Sequence, residues 1–229
     1  MADPQSVKQR LHAGAPLHIA SAGLKTSERD LEQRLAQAQA DLVFVDIQHA
    51  PATDADIVEF CRRVNALGVP ALLRLLHPRL ACLAGRYADF GALGVLVPMV
   101  ESVVEVEAAI EAFYYAPVGK RSFGPVHAYG FSQRQDRRTY ADWWNATGVL
   151  ALQFESVEAV AKARTLARPG VDLILFGIND LSFSLEAHPE APWRTPQDCW
   201  REVEEQLRGS GVRVAAGPMP FGRFEGGTP

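Results

Sequence analysis

Residues 149–185 read VLALQFESVEAVAKARTLARPGVDLILFGINDLSFSL, and the order of apolar runs in that stretch decides the fold class. VLALQFE (149–155) and VDLILFG (171–177) are apolar at nearly every position, as strands are when both faces of a parallel sheet are covered. The residues between them carry apolar side chains at helical spacing and predict a helix over 156–167. Strand, helix and strand of this kind form a βαβ unit with parallel strands and a right-handed crossover.

The same alternation continues outward. Further strands are predicted at PLHIASA (16–22), LVFVDI (42–47), PALLRL (70–75), GVLVPMV (94–100) and VRVAAG (212–217). Helices are predicted near 28–39, 53–67, 79–89, 102–113 and 196–209. Ser27, three residues before Asp30, fits an N-cap, and Thr53 with Asp56 fits an acidic form of the capping box. No composition break interrupts the series, so one domain spanning 1–229 is expected. A closed (β/α)₈ TIM-type barrel is the first choice of fold and an open doubly wound sheet the second.

Two segments depart from the pattern. PVGKRSFGPVHAYGFSQRQDRRT (117–139) has no strong period, and long irregular connections in α/β proteins are often functional. After the seventh strand only GPMPFGRFEGGTP (217–229) remains, so the last βα unit of a barrel is apparently lacking and 218–229 reads as a Gly/Pro-rich tail.

Composition narrows the function classes. Hydrophobic residues make up 48% and charged residues 22%, the balance of a folded globular chain. The net charge of -4 argues against a broad phosphate-binding surface for nucleic acid or an anionic membrane. Arg134, Arg137 and Arg138 form a local basic cluster that reads either as an anion site or as a solvated loop. Cys61, Cys82 and Cys199 include no CxxC pair, and their odd number suits a reduced, cytoplasmic protein better than a disulfide framework. No apolar run reaches the length of a membrane span, and the N-terminus lacks a signal-peptide core.

Polar residues gather where the predicted strands end, which in an α/β barrel is the face that carries chemistry. Asp46, Gln48 and His49 follow the second strand, Arg74 lies at the end of the third, Glu155 ends the fifth, and Asn179 and Asp180 follow Gly177 after the sixth. Singly, each has a structural alternative. Asp46 and Asp180 fit turn or helix caps, His49 a hydrogen-bonded structural histidine, and Glu155 a helix-dipole partner. Arg74 is harder to dismiss, because an unpaired buried guanidinium is costly.

Six segments, in order, resemble the HpcH/HpaI aldolase family. They are VDIQHAP (45–51), LLRL (72–75), ADFGALGVLVPMVES (88–102), YAPVGKRSFGPVHA (115–128), QFESVEAV (153–160) and GVDLILFGINDLSFSL (170–185). The last, with the family's G-x-x-DLS pattern, is the most specific. The match spans roughly residues 5–217, and the chain is identified as a divergent, C-terminally short member.

The resemblance implies a barrel of the phosphoenolpyruvate/pyruvate-binding kind and class II, metal-dependent lyase chemistry. It implies a divalent metal ion (Mg²⁺, Mn²⁺ or Co²⁺) on Glu155 and Asp180, with hard oxygen donors suited to such ions. The substrate would be a 4-hydroxy-2-oxo acid, cleaved or formed through a pyruvate or oxaloacetate enolate on the ion, with an aldehyde or another acceptor as the second reactant. His49 matches the family's base, with Asp46 or Asp89 orienting it, Asp89 across a subunit boundary in one version. Arg74 matches the arginine on the oxo-acid oxygens. Gln48, Gly177, Ile178, Asn179 and Asp180 complete the substrate contacts, the amides of 178–180 holding the carboxylate at a helix start. A homo-oligomer is implied as well. A lysine Schiff base is not required, and only Lys8, Lys25, Lys120 and Lys162 exist.

Several positions depart from the family pattern. Gln48 stands where many relatives have Glu, His127 where the FGPxRA loop has Arg, and Ile178 where a small residue or Pro is common; Leu75-Leu76-His77 replaces an Arg-x-Pro run. Two alternatives therefore accompany the aldolase reading. One is a biosynthetic, citrate-synthase-like enzyme that joins the same enolate to another acceptor. The other is a non-catalytic oxo-acid- or metal-binding remnant.

Overall fold

The computed structural model of the chain describes residues 4–134 and 136–215. Helix α1 (Pro4–His12) leads into seven strands: β1 (Ile19–Ser21), β2 (Leu42–Asp46), β3 (Ala71–Arg74), β4 (Gly94–Val97), β5 (Val149–Phe154), β6 (Leu173–Phe176) and β7 (Arg213–Val214). Between them lie α2 (Glu28–Ala38), α3 (Asp54–Ala66), α4 (Ala84–Asp89), α5 (Val103–Phe113), α6 (Arg137–Thr147), α7 (Val157–Ala161), α8 (Ala163–Leu166), α9 (Ile178–Ala187) and α10 (Pro196–Gln206). Three-residue-per-turn helices at Pro78–Leu83 and Phe131–Gln133 complete the described chain.

All strands are parallel and pair in chain order from β1 to β7. Strand order that never reverses is the order of a barrel wall; a doubly wound sheet has a switch point. The sheet is curled, and side-chain alternation sorts its residues between two cores. Val43, Val45, Leu73, Val95, Leu150, Leu152 and Ile174 pack outward in the larger core with the helices. Leu42, Phe44, Leu72, Leu96, Val149, Ala151, Leu173 and Leu175 pack together inside the curl, closed by Val7 and Leu11 of α1. Each such buried side chain contributes roughly 1.5–3 kcal/mol. Among the described residues β1 and β7 are the two sheet edges.

Local sequence explains most helix starts. The Ser27 hydroxyl accepts from the Asp30 amide, and Thr53–Asp56, Ser102–Glu105 and Thr195–Asp198 form reciprocal capping boxes, each worth about 1 kcal/mol. Two helices were not foreseen: α1 lies before the first strand, and α6 occupies the second half of the irregular stretch. The short helix expected near Asp180 extends to Ala187 as α9. The helices expected over 79–89 and 156–167 are each divided in two. The predicted seventh strand runs into residues 216 and 217, which with the tail 218–229 lie outside the described residues. The basic cluster is a solvated face: Arg138 pairs with Asp142, and Arg134 lies 4.1 Å from the Trp143 ring centroid. All three cysteines are free. Among the described residues no helix is long and apolar enough to cross a membrane.

Candidate active site at the strand C-termini

Glu155 follows β5 directly and Gly177 follows β6, and the register Phe154↔Phe176 sets them side by side. Glu155 is only 6% exposed although it is ionisable. One carboxylate oxygen, Oε2, accepts from the Met99 amide at 2.7 Å. The other, Oε1, lies against Gly177, where the absence of a β-carbon makes the room. Burial pushes the Glu155 carboxyl up to about 7; the Met99 amide and Arg74 oppose that, while the adjacent Asp180 carboxylate adds to it.

Asp180 sits in the first turn of α9, whose N-cap is Gly177 and has no side-chain cap. The structural alternative in which Asp180 caps this helix does not hold, because Asp180 is the third helical residue. Asn179 and Asp180 are exposed and Ile178 is half-buried. With no capping side chain, the amides of Ile178, Asn179 and Asp180 are open to an anion at the positive end of the helix.

Arg74 ends β3 directly opposite Asp46 of β2. Its guanidinium donates from Nε at 2.9 Å and Nη2 at 2.6 Å to the two Asp46 oxygens, and from Nη1 at 3.3 Å to Gln153 Oε1. Burial raises the Asp46 carboxyl, but the Arg74 fork and the Gln48 amide outweigh it and hold it below its ordinary value. The pair thus stays ionised, as a bidentate buried fork does.

His49 is exposed on the loop after β2 and faces a cleft of about 460 Å³. Its ring carries no hydrogen bond to a described side chain, so no direct contact ties it to Asp46. Gln48 donates from Nε2 to the Met99 sulfur at 3.7 Å, while its Oε1 has no partner. Asp89 does not join the group within this chain. It ends α4 and pairs with Arg121, whose guanidinium lies 4.7 Å and 4.5 Å from the Tyr115 and Trp144 ring centroids. His127 is exposed, with its carbonyl packed at Gly91, before β4 begins.

Glu155, Asp180, Gly177, Arg74 and Asp46 therefore converge, and Gln48 joins them through Met99. Sequence reasoning missed two members. Gln153 was signalled by being the one polar residue within β5. Met99 gave no signal, because its left-handed φ of 51° is unusual for a residue with a side chain.

The donor set suits a divalent cation. Two carboxylates meet, one of them buried and raised toward neutral pH, and a cation held by Glu155 and Asp180 would offset both the burial and the repulsion. No group of three or more His, Cys, Asp or Glu that fits a metal occurs among the described residues.

Comparisons with known proteins bear on the family and the fold. A family model described as HpcH/HpaI aldolase/citrate lyase matches residues 24–212. The chain is 29% identical over 207 residues to the 2-dehydro-3,6-dideoxy-6-sulfogluconate aldolase of Pseudomonas putida, covering 90% of this chain and 77% of that protein. It is 29% identical over 161 residues to a hydroxypyruvate/pyruvate aldolase of Paraburkholderia phytofirmans, covering 67% of this chain and 60% of that protein. The crystal structure of an HpcH/HpaI aldolase from Desulfitobacterium hafniense superposes with a TM-score of 0.77 at 26% identity, over 91% of this chain and 80% of that one. The chain belongs to the HpcH/HpaI aldolase/citrate lyase family.

Proposed function

We propose that the chain is a divalent-metal-dependent carbon–carbon lyase that cleaves or forms a 4-hydroxy-2-oxo acid, with pyruvate or oxaloacetate as donor and an aldehyde as acceptor. The observation that carries this reading is the meeting of Glu155 and Asp180 beside Arg74 at the open amides of α9. Its wider frame is a (β/α)₈-type barrel, of which the seven described strands form the wall.

Glu155 and Asp180 would hold Mg²⁺, Mn²⁺ or Co²⁺, which when bound supplies Lewis-acid polarisation of the substrate's 2-oxo group. The amides of residues 178–180 bind the substrate carboxylate and fix its orientation. The Arg74 guanidinium, held flat by its fork on Asp46, faces the 2-oxo oxygen and stabilises the negative charge that develops there. In cleavage, His49 accepts the proton of the 4-hydroxyl, the C3–C4 bond breaks, and its electron pair passes into the 2-oxo system as an enolate. C3 then takes up a proton, giving the donor acid and an aldehyde. Condensation runs the same steps backward.

A Schiff-base route has no amine at hand. Lys8, Lys25, Lys120 and Lys162 are engaged with Asp172, Asp56, Glu111 and the Glu101 carbonyl, away from this cluster. Asp89, paired with Arg121, is assigned to a neighbouring subunit's His49 in this reading, which therefore includes a homo-oligomer.

The test is deuterium exchange at the methyl group of pyruvate, followed by NMR with Mn²⁺ or Mg²⁺, together with a panel of aldehydes. Exchange that EDTA abolishes is expected. A folded, metal-loaded sample that neither exchanges pyruvate nor decarboxylates oxaloacetate would overturn the reading.

A further inference from the structure

We propose that Met99 is a positioning residue: its left-handed backbone aims an amide at the metal-binding carboxylate of Glu155, and its sulfur holds the Gln48 side chain in the same site. This assignment rests on the metal-dependent reading above.

The geometry has three parts. Met99 has φ 51°, and among the described residues the other non-glycine at positive φ is Gln39, which closes α2 as a C-cap. A left-handed residue is ordinary at a helix end, but Met99 follows β4 and Pro98, where no helix ends. Such a conformation persists where the surroundings hold it in place, and sites are where this happens. Here its consequence is visible: the Met99 N–H donates to Glu155 Oε2 at 2.7 Å.

Second, the chain rejoins the sheet at once, as the Val100 amide donates to the Gln153 carbonyl at 3.4 Å. Met99 thus lies in a short excursion between Val97, paired with Leu152, and Val100, bonded to Gln153. Glu155 is bracketed between it and Gly177, on the β4 and β6 sides of β5 respectively. A carboxylate held from both flanks has little freedom to swing away from an ion.

Third, glycine would adopt this backbone without strain, yet the position carries a methionine that is 46% exposed. Its sulfur lies 3.7 Å from Gln48 Nε2, within reach of a weak amide–thioether contact. The side chain therefore links the loop bearing His49 to the strand end bearing Glu155. Two candidate functions, proton transfer and metal binding, sit at opposite ends of that link.

The test separates backbone from side chain by direct Mn²⁺ titration, with thermal unfolding in EDTA as a control for folding. Met99→Val, β-branched and strongly averse to positive φ, is expected to weaken Mn²⁺ binding tenfold or more. Met99→Gly and Met99→Asn, which tolerate that backbone, are expected to stay within threefold of the wild type. For Met99→Gly, KM for pyruvate exchange should rise severalfold as Gln48 is released, with kcat within twofold. Wild-type affinity in Met99→Val, or a loss in Met99→Gly equal to that in Met99→Val, overturns the assignment. If Met99→Val does not fold, Met99→Gly decides: a severalfold rise in KM at retained Mn²⁺ affinity supports the assignment, and an unchanged KM or a tenfold loss of affinity overturns it. A wild-type protein that takes up no Mn²⁺ overturns the metal-site reading and this inference together; wild-type binding with indifferent variants overturns this inference alone.

Discussion

The carboxylate of Glu155 occupies the space in which any residue but glycine at position 177 would carry its β-carbon. A β-carbon built there falls within 2.6 Å of both Cγ and Cδ of Glu155, closer than real side chains approach. The cause is the register of two adjacent parallel strands, Phe154 beside Phe176. It places the residue after β5 and the residue after β6 at the same height on the rim.

Gly177→Ala should therefore act on the site more than on the fold. The methyl group displaces the Glu155 side chain, and Mn²⁺ affinity is expected to fall at least tenfold. Overpacking of this kind costs about 1–3 kcal/mol, so the variant stays folded. Isothermal titration with Mn²⁺, beside a thermal melt in EDTA, measures the two effects separately. Unchanged affinity would show that Glu155 is not an ion ligand or that it relocates without loss.

The Glu155 carboxyl gives a pH signature once metal is removed. Its folded value of about 7 lies above the ordinary 4.5, so the folded chain binds the extra proton between those values. Stability in EDTA should then fall as pH rises from about 4.5 to 7, by an amount on the order of 3 kcal/mol. Glu155→Gln removes this loss, and its urea midpoint should overtake that of the wild type by pH 8. Millimolar Mn²⁺ should restore the wild type at pH 8 and leave the variant unchanged. Parallel pH profiles for the two proteins would count against the buried, repelled carboxylate.

Much of this was legible in the sequence, for physical reasons. Strands of a parallel sheet covered on both faces are apolar throughout, so β2, β3, β4, β5 and β6 announced themselves as unbroken runs. Helices with Ser or Thr caps announced their starts. Glu155 and Arg74 stood out as charges at the ends of such runs, and Asp180 as a charge shortly after one. What failed was non-local or conformational. α1 is held by Val7 and Leu11 packing inside the curl, and α6 by Tyr140 and Trp144 in the outer core; neither has a strong periodic signal alone. The family resemblance offered Asp46, or Asp89, as the residue that orients His49. Cross-strand register gave the Asp46 oxygens to Arg74 instead. The left-handed Met99 is fixed by tertiary contacts, and no residue preference reveals it.

The Arg74–Asp46 fork makes a sharper claim than either residue alone. Lysine cannot reproduce two parallel N–H donors, so Arg74→Lys should lower kcat/KM about a hundredfold, roughly 2.7 kcal/mol of transition-state stabilisation. Its Mn²⁺ affinity should stay within threefold. Asp46→Asn leaves the buried guanidinium without a full counter-charge, and a stability loss of about 1–3 kcal/mol is expected. Steady-state kinetics of pyruvate exchange and urea unfolding read these out. A large change in Mn²⁺ affinity in Arg74→Lys would mean that the arginine serves the ion site and not the substrate oxygens.

At the opposite end of the sheet, His12 should make stability pH-dependent in a way that owes nothing to the metal. Asp172, 2% exposed, accepts on Oδ1 from Lys8 at 3.1 Å and faces His12 Nε2 at 2.9 Å. On Oδ2 it accepts from the Tyr114 hydroxyl at 3.0 Å and the Leu150 amide at 2.9 Å. This cluster ties α1 to the starts of β5 and β6. The His12 ring is raised above its ordinary value chiefly by the hydrogen bond to Asp172, against the opposing effects of burial and of the Lys8 charge. For a group whose folded value is raised, the stabilisation is full below the unfolded value of 6.5 and is lost as pH rises through the folded one. His12→Ala should therefore differ from the wild type more at pH 6 than at pH 9, since the stabilisation declines as pH rises through the raised value of the folded state. Urea midpoints at the two pH values, with amide exchange of residues 7–12, measure the difference. A gap that does not narrow toward pH 9 would mean that His12 holds α1 by packing and by its contact with the Gly211 carbonyl, without a charged bond to Asp172.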